Sequence, residues 1–577
     1  MEFNLAEVQE ALGDRLGDRE AIVTADRRFT WSQLTDRTRR LANVLIGAGF
    51  GAYAERTVLA DHEAGQDRVA ICLLNGHEYL EAILGSLKAR CAPCNVNYRY
   101  VTSELEELLA DMAPRAVVFQ SQFAPQIGAA LERLAERGTI EPPALLLQVP
   151  DSSGVGYLPG ALDYESTLAA ASPGRPHLDW SPDDLYILYT GGTTGKPKGV
   201  LWRQGDIFVT ALGGRNFKQA GREWHTLTEL VDAAAGRDGT RGLSAAPFMH
   251  GTGQWVSFQA LHTGGTVVIP GVVDRYDAAD VLDTVERERV SLLTIAGEAF
   301  AAPLIDAVDA RPRDLSSLVV VSSSGAALSP KSKEAILARL PQVRIRDTMG
   351  SSEAGPLADT VNTGSGDGEG GKGPVRFRPD PLTCVLDETK TEVLEAGHEA
   401  TGWIARSGRI PLGYMNDAAK TAATFRTIGG TRYTIPGDRA LLHEDGTVEV
   451  LGRDAVTINS GGEKIFAEEV EAAIRHHPGV RDVMVVGRPS ERWGSEVVAL
   501  VEPEPGTEVD RADLLSTCAT YIARYKLPKA VIVVDRVVRN PAGKANYTWA
   551  RSVAAGSSSS SSSSSGSSSS SSPSEVR

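Results

Sequence analysis

The sequence has no long apolar run: none approaches the roughly 20 residues that a helix needs to span a bilayer. Residues 1–7 contain no basic segment followed by an apolar one, so no signal peptide is expected. We therefore expect a cytoplasmic protein with no integral membrane segment. Any contact with a membrane would be peripheral, for example to collect an apolar substrate.

Positive charge is the minority charge, since 59 Lys and Arg stand against 74 Asp and Glu and give a formal net charge of −15. Binding to nucleic acid calls for a basic excess, overall or in a local patch, and the sequence shows none. A nucleic-acid partner is therefore not expected. The hydrophobic fraction of 42% is ordinary for a globular protein, and 577 residues suffice for one large domain with a smaller one.

Cysteine is also sparse and odd in number, which favours a reducing compartment over a disulfide framework. The five residues are Cys72, Cys91, Cys94, Cys384 and Cys518. Cys91 and Cys94 form a C-x-x-C pair, but no second pair exists to complete a zinc site. We expect neither a metal nor a redox role for them.

Helical and strand periodicities alternate along the chain, as in a βαβ protein. One helical stripe contains Leu80, Ile83, Leu84 and Leu87, and another contains Leu105, Leu108, Leu109 and Met112. Ser103 and Glu106 are spaced as a capping box for the second helix. Strands are predicted over residues 116–119, 266–269, 290–295 and 318–321, and a helix over residues 278–287. This alternation predicts several parallel sheets flanked by helices.

Three segments do not fit this alternation. Residues 216–242 form a polar insert that the pattern does not place. Residues 364–373 are rich in glycine but follow no clear strand, so we interpret them as a mobile loop rather than a dinucleotide fingerprint. Residues 557–572 form a serine tract that cannot bury enough apolar surface to offset ordering, and it is predicted to be disordered.

The most informative segment is residues 185–200, where an apolar, aromatic-rich run ends in a loop of hydroxyls, glycines and two lysines. Glycines let backbone N–H groups approach phosphate oxygens closely, hydroxyls add donors and lysines add charge. A Walker A loop is disfavoured because Thr190 stands where its first glycine belongs and Pro197 follows Lys196. The candidate phosphate-binding residues are Thr190, Gly191, Gly192, Thr193, Thr194, Gly195 and Lys198.

Residues 189–200 resemble the phosphate-loop signature of the adenylate-forming superfamily, which includes acyl-CoA synthetases, luciferases and the adenylation domains of peptide synthetases. Further matches follow in the superfamily's order to about residue 550. The resemblance implies an α/β fold: a large N-terminal adenylation domain of layered sheets with flanking helices, residues 1–451, and a small, mobile α+β C-terminal domain, residues 452–552. Residues 553–577 would be a disordered serine-rich tail.

The resemblance also implies ATP, CoA and Mg²⁺ as cofactors and a carboxylic acid as the substrate. Activation of a carboxylate by ATP requires a site that neutralises the triphosphate, holds magnesium, fixes the adenosine and excludes water. Residues 349–353 resemble the family's element of glycine, hydroxyls and glutamate. Glu353 would therefore be a catalytic residue and the magnesium ligand, and Gly350, Ser351 and Ser352 would contact the nucleotide.

Two further segments resemble the family's nucleoside contacts. Ser324, Gly325 and Ala326 resemble the segment that lines the adenine. Asp438 matches the aspartate that accepts hydrogen bonds from the ribose hydroxyls, although an Asp after Pro-Gly is by itself ordinary turn chemistry. It precedes Arg453 by 15 residues, and the family pairs these two around the ribose and phosphate.

Residues 452–469 resemble the junction at which the family's C-terminal domain begins and rotates between adenylation and thioester formation. Ser460, Gly461 and Gly462 would border the tunnel for the pantetheine arm of CoA. The chain departs from the family two residues after Arg453, where the pivot is commonly Asp or Lys and this chain has Ala455. The exact hinge residue is left open.

Residues 539–544 match the family's terminal lysine motif. Lys544 would bring its ammonium to the carboxylate and the α-phosphate oxygens and stabilise the charge that shifts during adenylation. His250, in residues 247–255, resembles the element that borders the acyl pocket. Its two interpretations are a catalytic orienter of the carboxylate and a packed structural histidine.

Together these matches predict an ATP-dependent acid:CoA ligase that forms acyl-CoA through an acyl-AMP intermediate. The wording of the motifs is most similar to bacterial fatty-acid or sterol side-chain acyl-CoA synthetases, which favours a long-chain or bulky apolar acid. Two alternatives stay open: a fatty acyl-AMP ligase that loads a carrier protein, and a nucleotide- or acyl-binding protein without turnover. The sequence does not fix the acid or the oligomeric state.

Overall fold

The computed structural model describes residues 2–191, 197–216, 219, 221–236, 239–326, 328–363, 375–460, 463–490, 494–540 and 543–556. These residues divide into two compact units. The larger unit runs to Leu451 and also includes Gly543 and Lys544, and the smaller unit begins at Gly452. No helix in these ranges is both long enough and apolar enough to span a membrane.

The α-helices of the described residues are α1 (Leu5–Leu16), α2 (Trp31–Gly47), α3 (His77–Lys88), α4 (Thr102–Met112), α5 (Ala124–Glu136), α6 (Tyr164–Ala170), α7 (Gln204–Ala211), α8 (Leu227–Ala235), α9 (Gly251–His262), α10 (Ala278–Glu288), α11 (Glu298–Ala310), α12 (Pro330–Arg339), α13 (Ala418–Thr424), α14 (Ala467–Ile474), α15 (Arg511–Cys518) and α16 (Tyr547–Gly556).

The strands are β1 (Glu20–Val23), β2 (Arg28–Thr30), β3 (Arg68–Cys72), β4 (Ala92–Asn95), β5 (Ala116–Gln120), β6 (Leu145–Val149), β7 (Leu162–Asp163), β8 (Leu185–Gly191), β9 (Pro197–Arg203), β10 (Arg215–Asn216), β11 (Arg222–Glu223), β12 (Arg241–Ser244), β13 (Thr266–Val268), β14 (Leu292–Ile295), β15 (Val320–Ser324), β16 (Arg344–Ser351), β17 (Gly355–Asn362), β18 (Arg376–Pro379), β19 (Thr383–Leu386), β20 (Gly402–Ser407), β21 (Gly413–Tyr414), β22 (Phe425–Ile428), β23 (Thr431–Thr434), β24 (Asp438–Leu442), β25 (Val448–Arg453), β26 (Ile458–Ser460), β27 (Glu463–Ile465), β28 (Val480–Ser490), β29 (Gly494–Pro503) and β30 (Ala530–Val533).

One sheet of the larger unit has the order β21-β9-β8-β4-β3-β5-β6-β7. Its neighbours from β8 to β7 are parallel, whereas β9 is antiparallel to both β8 and β21. Strand β3 is buried on both faces: Val69 and Ile71 enter one core, and Ala70 and Cys72 enter another. Burial on both faces explains why such strands consist of continuous apolar runs.

The second sheet of the larger unit has the order β2-β1-β13-β12-β14-β15-β16-β17-β18-β25-β24-β20-β23-β22, with β19 paired to β20. The neighbours from β1 to β16 are parallel, so their carboxyl ends meet at one edge. Leu293, Val321 and Ile345 on adjacent strands are buried in one core against helices α10 to α12. Open parallel sheets bind ligands at this carboxyl edge.

The smaller unit contains the sheet β27-β26-β29-β28, with β30 parallel to β29. One face packs Val485 and Val497 with residues of α14 and α15. The other face packs Met484 and Leu500 against α16, and Ala554 of that helix is buried. Because α16 continues to Gly556 through this contact, the boundary expected at residue 552 falls inside a helix.

The predicted α/β class, with a large N-terminal part and a smaller C-terminal part, is confirmed. The predicted stripe at residues 80–87 lies on α3, and the helix predicted over residues 278–287 is α10. The strand predicted over residues 318–321 is instead Val320–Ser324, because its serine end pairs in register with β16. The insert at residues 216–242 includes β11 and α8 among its described residues, whereas residues 364–373 and 557–572 lie outside them.

The capping box predicted from Ser103 and Glu106 is wrong. Helix α4 begins at Thr102, and the Val101 N–H donates to Glu104 Oε2 at 3.0 Å. Glu106 is turned toward α5, where Arg133 donates to its carboxylate at 2.7 Å. Three glutamates follow one another closely in this segment, so the sequence is compatible with capping boxes that begin at different residues.

Candidate active site

The carboxyl edge of the parallel strands brings together several of the predicted site segments. Strand β12 leads to residues 245–250, β14 leads to Gly297, β15 leads to Gly325, and β16 leads to Ser352 and Glu353. The strands β12, β14, β15 and β16 are consecutive neighbours in the sheet. Residues that are far apart in the sequence therefore converge on one surface of the larger unit.

His250 is the N-cap residue of α9, and its N–H donates to the Pro247 carbonyl at 3.1 Å. Its Nε2 is shielded from solvent and has no hydrogen-bond partner among the described residues. Burial, together with the charges of Lys544 and Arg99, lowers the pKa of His250 to about 3. The imidazole is therefore neutral near pH 7 and presents one unsatisfied ring nitrogen, as an orienter of a substrate group would.

Gly325 lies between α9 and the lysine loop, of which the structure describes Gly543 and Lys544. Its φ of +84° belongs to the left-handed region that favours glycine. A Cβ at this position would stand 3.5 Å from Thr252 Oγ1 and 4.0 Å from Lys544 Cε. The neighbouring Ser324 hydroxyl donates to Thr252 Oγ1 at 3.1 Å, and Ala326, which follows Gly325, is half-buried.

The lysine loop approaches the end of β14 through its backbone. A Cβ on Gly543 would stand 2.4 Å from the Ala296 carbonyl oxygen, so only glycine fits there without a shift. Gly543 also has a φ of +73°. Lys544 follows with an exposed side chain, in the same compact unit as Gly325 and His250.

Glu353 occupies the turn between the antiparallel strands β16 and β17. The Tyr414 hydroxyl donates to Glu353 Oε1 at 2.9 Å, and Trp202 Nε1 donates to the Ser352 carbonyl at 2.9 Å. These two bonds hold the turn from two sides. A Cβ on Gly350 would stand 2.6 Å from the Gly355 carbonyl oxygen, so this hairpin requires glycine, and the Ser351 hydroxyl is buried without a partner among the described residues.

The phosphate-loop segment connects β8 and β9, in which Thr190 is paired with Lys198 and Gly191 with Pro197. The loop itself lies outside the described residues, and with it the candidates Gly192, Thr193, Thr194 and Gly195. Lys198 Nζ lies 2.5 Å from Asp417 Oδ2 and holds the pKa of that carboxyl below its usual value. Lys198 thus forms an ion pair with Asp417, which is the N-cap residue of α13.

The remaining candidates are distributed over both units. Asp438 is a buried residue at the start of β24 in the larger unit, and Gly437 before it has a φ of +100°. In the smaller unit, Arg453 is the half-buried last residue of β25, and Ser460 is a buried residue of β26. Gly461 and Gly462 lie outside the described residues.

The sequence comparisons decide the family. Residues 9–410 match the AMP-binding enzyme family, and residues 469–544 match the AMP-binding enzyme C-terminal domain. The chain belongs to the AMP-binding enzyme family. This confirms the resemblance to adenylate-forming enzymes that the motifs indicated.

Curated relatives align over almost the whole chain. A protein named medium-chain acyl-CoA ligase Mig, from Mycobacterium avium, is 47% identical over 552 residues, which cover 96% of this chain and 98% of that protein. A medium/long-chain-fatty-acid--CoA/3-oxocholest-4-en-26-oate--CoA ligase of Mycobacterium tuberculosis is 41% identical and covers 95% and 96%. A 3-oxocholest-4-en-26-oate--CoA ligase of Rhodococcus rhodochrous is 38% identical and covers 96% of both chains.

Solved structures of similar fold include the anthranilate CoA ligase AuaEII in complex with anthranoyl-AMP, with a TM-score of 0.76 at 22% identity, covering 96% of this chain and 97% of that chain. ATP-bound MatB from Rhodopseudomonas palustris has a TM-score of 0.74 at 25% identity, with coverage of 96% and 99%. These likenesses confirm the fold of this AMP-binding enzyme.

The motifs of this AMP-binding enzyme did not reveal the side chains that hold its candidate site residues. Asn95, Trp202, Thr252 and Tyr414 each bond to a site segment from elsewhere in the chain. Asn95 and Tyr414 lie outside every segment singled out from the sequence, and Thr252 lies inside residues 247–255, where only His250 was given a role. Only the fold shows which segment each of these side chains contacts.

Proposed function

We propose that this AMP-binding enzyme is an ATP-dependent acid:CoA ligase. It joins a carboxylic acid and ATP into acyl-AMP and pyrophosphate, and the CoA thiol then displaces AMP to give acyl-CoA. The observation that carries the proposal is the identity of 38% to 47%, over nearly the full chain, to three proteins named as CoA ligases. Their names specify medium-chain and long-chain fatty acids and a sterol side-chain acid, which supports a long or bulky apolar substrate here.

His250 and Lys544 both interact with the substrate carboxylate, the first by a hydrogen bond and the second by its positive charge. The neutral imidazole of His250 offers a hydrogen bond through its shielded ring nitrogen and adds no charge that would compete with the lysine. The ammonium of Lys544 stabilises negative charge on the carboxylate and the α-phosphate as the new bond forms. Gly325 has no Cβ in the space beside the Lys544 side chain, which leaves room for the nucleotide.

Glu353 is the residue that would hold Mg²⁺. A carboxylate is the hard oxygen ligand that magnesium takes from proteins, usually one or two at a time, so the residue fits the ion. The bond from Tyr414 to Oε1 fixes the orientation of this carboxylate before any ion arrives. When bound, the ion would neutralise charge on the triphosphate.

The other candidates serve the nucleotide and CoA. Thr190, Gly191 and the loop that follows them bind phosphates, together with Ser351 and Ser352. Asp438 accepts hydrogen bonds from the ribose hydroxyls, and Arg453 is a further nucleotide contact. Ser460, Gly461 and Gly462 border the path of the pantetheine arm, where glycine permits close approach.

The test is a panel of carboxylic acids, from acetate through long-chain and aryl acids to sterol side-chain acids, assayed for AMP and CoA thioester. We expect acid-dependent AMP formation and thioester with long-chain or sterol side-chain acids, and little with acetate. A parallel assay replaces CoA with an acyl carrier protein. Pyrophosphate release with thioester formed only on the carrier would overturn the CoA assignment, and no acid-dependent release would overturn the proposal as a whole.

A further inference from the structure

Asn95 is a buried residue at the end of β4, a strand that runs parallel to β8. The backbone pairing of the two strands includes Cys94 opposite Ile187. One step further along, the Asn95 side chain replaces the backbone: its Oδ1 accepts from the Tyr189 N–H at 2.7 Å, and its Nδ2 donates to the Tyr189 carbonyl at 2.8 Å. The amide therefore extends the ladder to the residue that precedes Thr190.

The same amide also reaches the segment that follows β12. Asn95 Nδ2 donates to the Met249 carbonyl at 2.7 Å, so both of its N–H groups are used. Met249 is itself buried and directly precedes His250. One side chain thus bonds to the residues immediately before Thr190 and before His250.

We propose that Asn95 is a positioning residue. It holds Tyr189, at the start of the phosphate loop, and Met249, in the turn before His250, at a fixed distance from each other. This inference rests on the proposed function, in which the first segment holds the triphosphate and the second orients the carboxylate. Attack of the carboxylate on the α-phosphate needs both groups in one geometry, and a displacement of about 1 Å can cost about 100-fold in rate. Asn95 acts through Tyr189 and Met249 and touches neither reacting group itself.

The chemistry of the site requires an amide at position 95. An aspartate has the same shape but has no donor, and its oxygen would face the carbonyls of Tyr189 and Met249. An alanine would leave those carbonyls and the Tyr189 N–H without their partner. Either change loosens the connection between the two segments without removing any group that contacts a substrate.

Gln148 provides a matched control for a merely structural role. It is a fully buried amide on β6 of the same sheet and also makes three hydrogen bonds. Its Nε2 donates to Ser121 Oγ at 2.9 Å and to the Gly156 carbonyl at 3.0 Å, and its Oε1 accepts from the Leu158 N–H at 2.9 Å. None of these partners belongs to a candidate site segment.

The experiment compares Asn95→Ala, Asn95→Asp and Asn95→Ser with Gln148→Ala and Gln148→Glu in the full chain. For each we would measure the melting temperature, the Kd for MgATP by calorimetry, and the KM for ATP, the KM for CoA and the rate of acid-dependent pyrophosphate release. We expect the Asn95→Ala and Asn95→Asp variants to bind MgATP about tenfold more weakly and to release pyrophosphate about 100-fold more slowly, with an unchanged KM for CoA. Asn95→Ser should be intermediate because its hydroxyl can still donate once.

The Gln148 variants should lose thermal stability to a similar extent while their Kd for MgATP stays within about twofold of the unsubstituted enzyme, because they lose as many buried hydrogen bonds away from the site. Equal MgATP binding in the Asn95 and Gln148 variants would overturn the proposal. So would the failure of all three Asn95 variants to fold while Gln148→Ala folds, since that assigns Asn95 to core stability. If the unsubstituted protein released no pyrophosphate with any acid, the proposed function would fail, and the Kd comparison would still decide the role of Asn95.

Discussion

The bond from Tyr414 to Glu353 gives a direct way to perturb the candidate magnesium site without touching the carboxylate. In Tyr414→Phe the hydroxyl that donates to Glu353 Oε1 at 2.9 Å is removed. The ring remains, with its contacts to Phe425, at 5.7 Å between centroids, and to the Lys420 ammonium, at 5.1 Å. The change therefore removes one hydrogen bond and little packing.

The expected effect follows from the type of bond and its surroundings. A hydrogen bond to a charged group contributes about 1.5–3 kcal/mol. Glu353 is half-buried, so water can partly replace the lost hydroxyl, and the lower end of that range applies. A loss of about 1.5 kcal/mol corresponds to about a tenfold rise in the magnesium concentration that gives half-maximal pyrophosphate release.

The assay is pyrophosphate release titrated with MgCl₂ at saturating ATP and acid. Tyr414→Phe should need a higher magnesium concentration for half-maximal rate, because its carboxylate is no longer held in one orientation. Tyr157→Phe is the matched control, since it removes a tyrosine hydroxyl that donates to the half-buried Asp163 carboxylate at 2.6 Å, away from the candidate site. Identical magnesium curves for the two variants would refute the role given to Tyr414 and weaken that of Glu353.

Two further predictions concern buried titratable groups. Burial lowers the pKa of His262 to about 4, so between about pH 6.5 and pH 4 this residue is protonated in the unfolded chain and neutral in the folded protein. Acidification through that window should therefore lower the free energy of unfolding by about 1.4 kcal/mol per pH unit for this residue. His262→Gln should flatten this slope in urea unfolding, and a slope no flatter than that of the exposed-residue control His398→Gln would contradict the reasoning. Three cysteines are buried, and burial raises the pKa of each thiol: Cys72, Cys91 and Cys94. A thiol reagent at neutral pH should therefore label them only after denaturation. Rapid labelling of Cys91 or Cys94 in the native protein, or a disulfide between them, would contradict this.

The sequence predicted the elements whose pattern is local. The stripe of residues 80–87 identified α3 because one helical face must be apolar to pack on a sheet, and the run at residues 116–119 identified β5 because both faces of that strand are buried. The order of motifs along the chain predicted the fold class, which the structure confirms. Local patterns predicted the ends of elements less well than their presence, as the incorrect capping box at Ser103 shows.

The sequence could not show contacts between distant residues. Asn95 and Tyr189 are separated by 94 residues, Glu353 and Tyr414 by 61, and Trp202 and Ser352 by 150. No periodicity marks such pairs, because each depends on the path of the chain between them. Lys198 is an example. Its charge and its place in the phosphate-loop motif suggest a phosphate ligand, and only the fold shows that Asp417 lies against its ammonium.

The most direct test of the account is Lys544→Ala studied in the two half-reactions separately. The ammonium of Lys544 stabilises the charge that shifts during adenylation in the proposed function, so the variant should lose about 10²- to 10³-fold in acid-dependent pyrophosphate release. Formation of thioester from supplied acyl-AMP and CoA should be largely retained. An equal loss in both half-reactions would contradict the role given to Lys544, and unchanged pyrophosphate release would contradict the placement of the catalytic site beside Gly325 and His250.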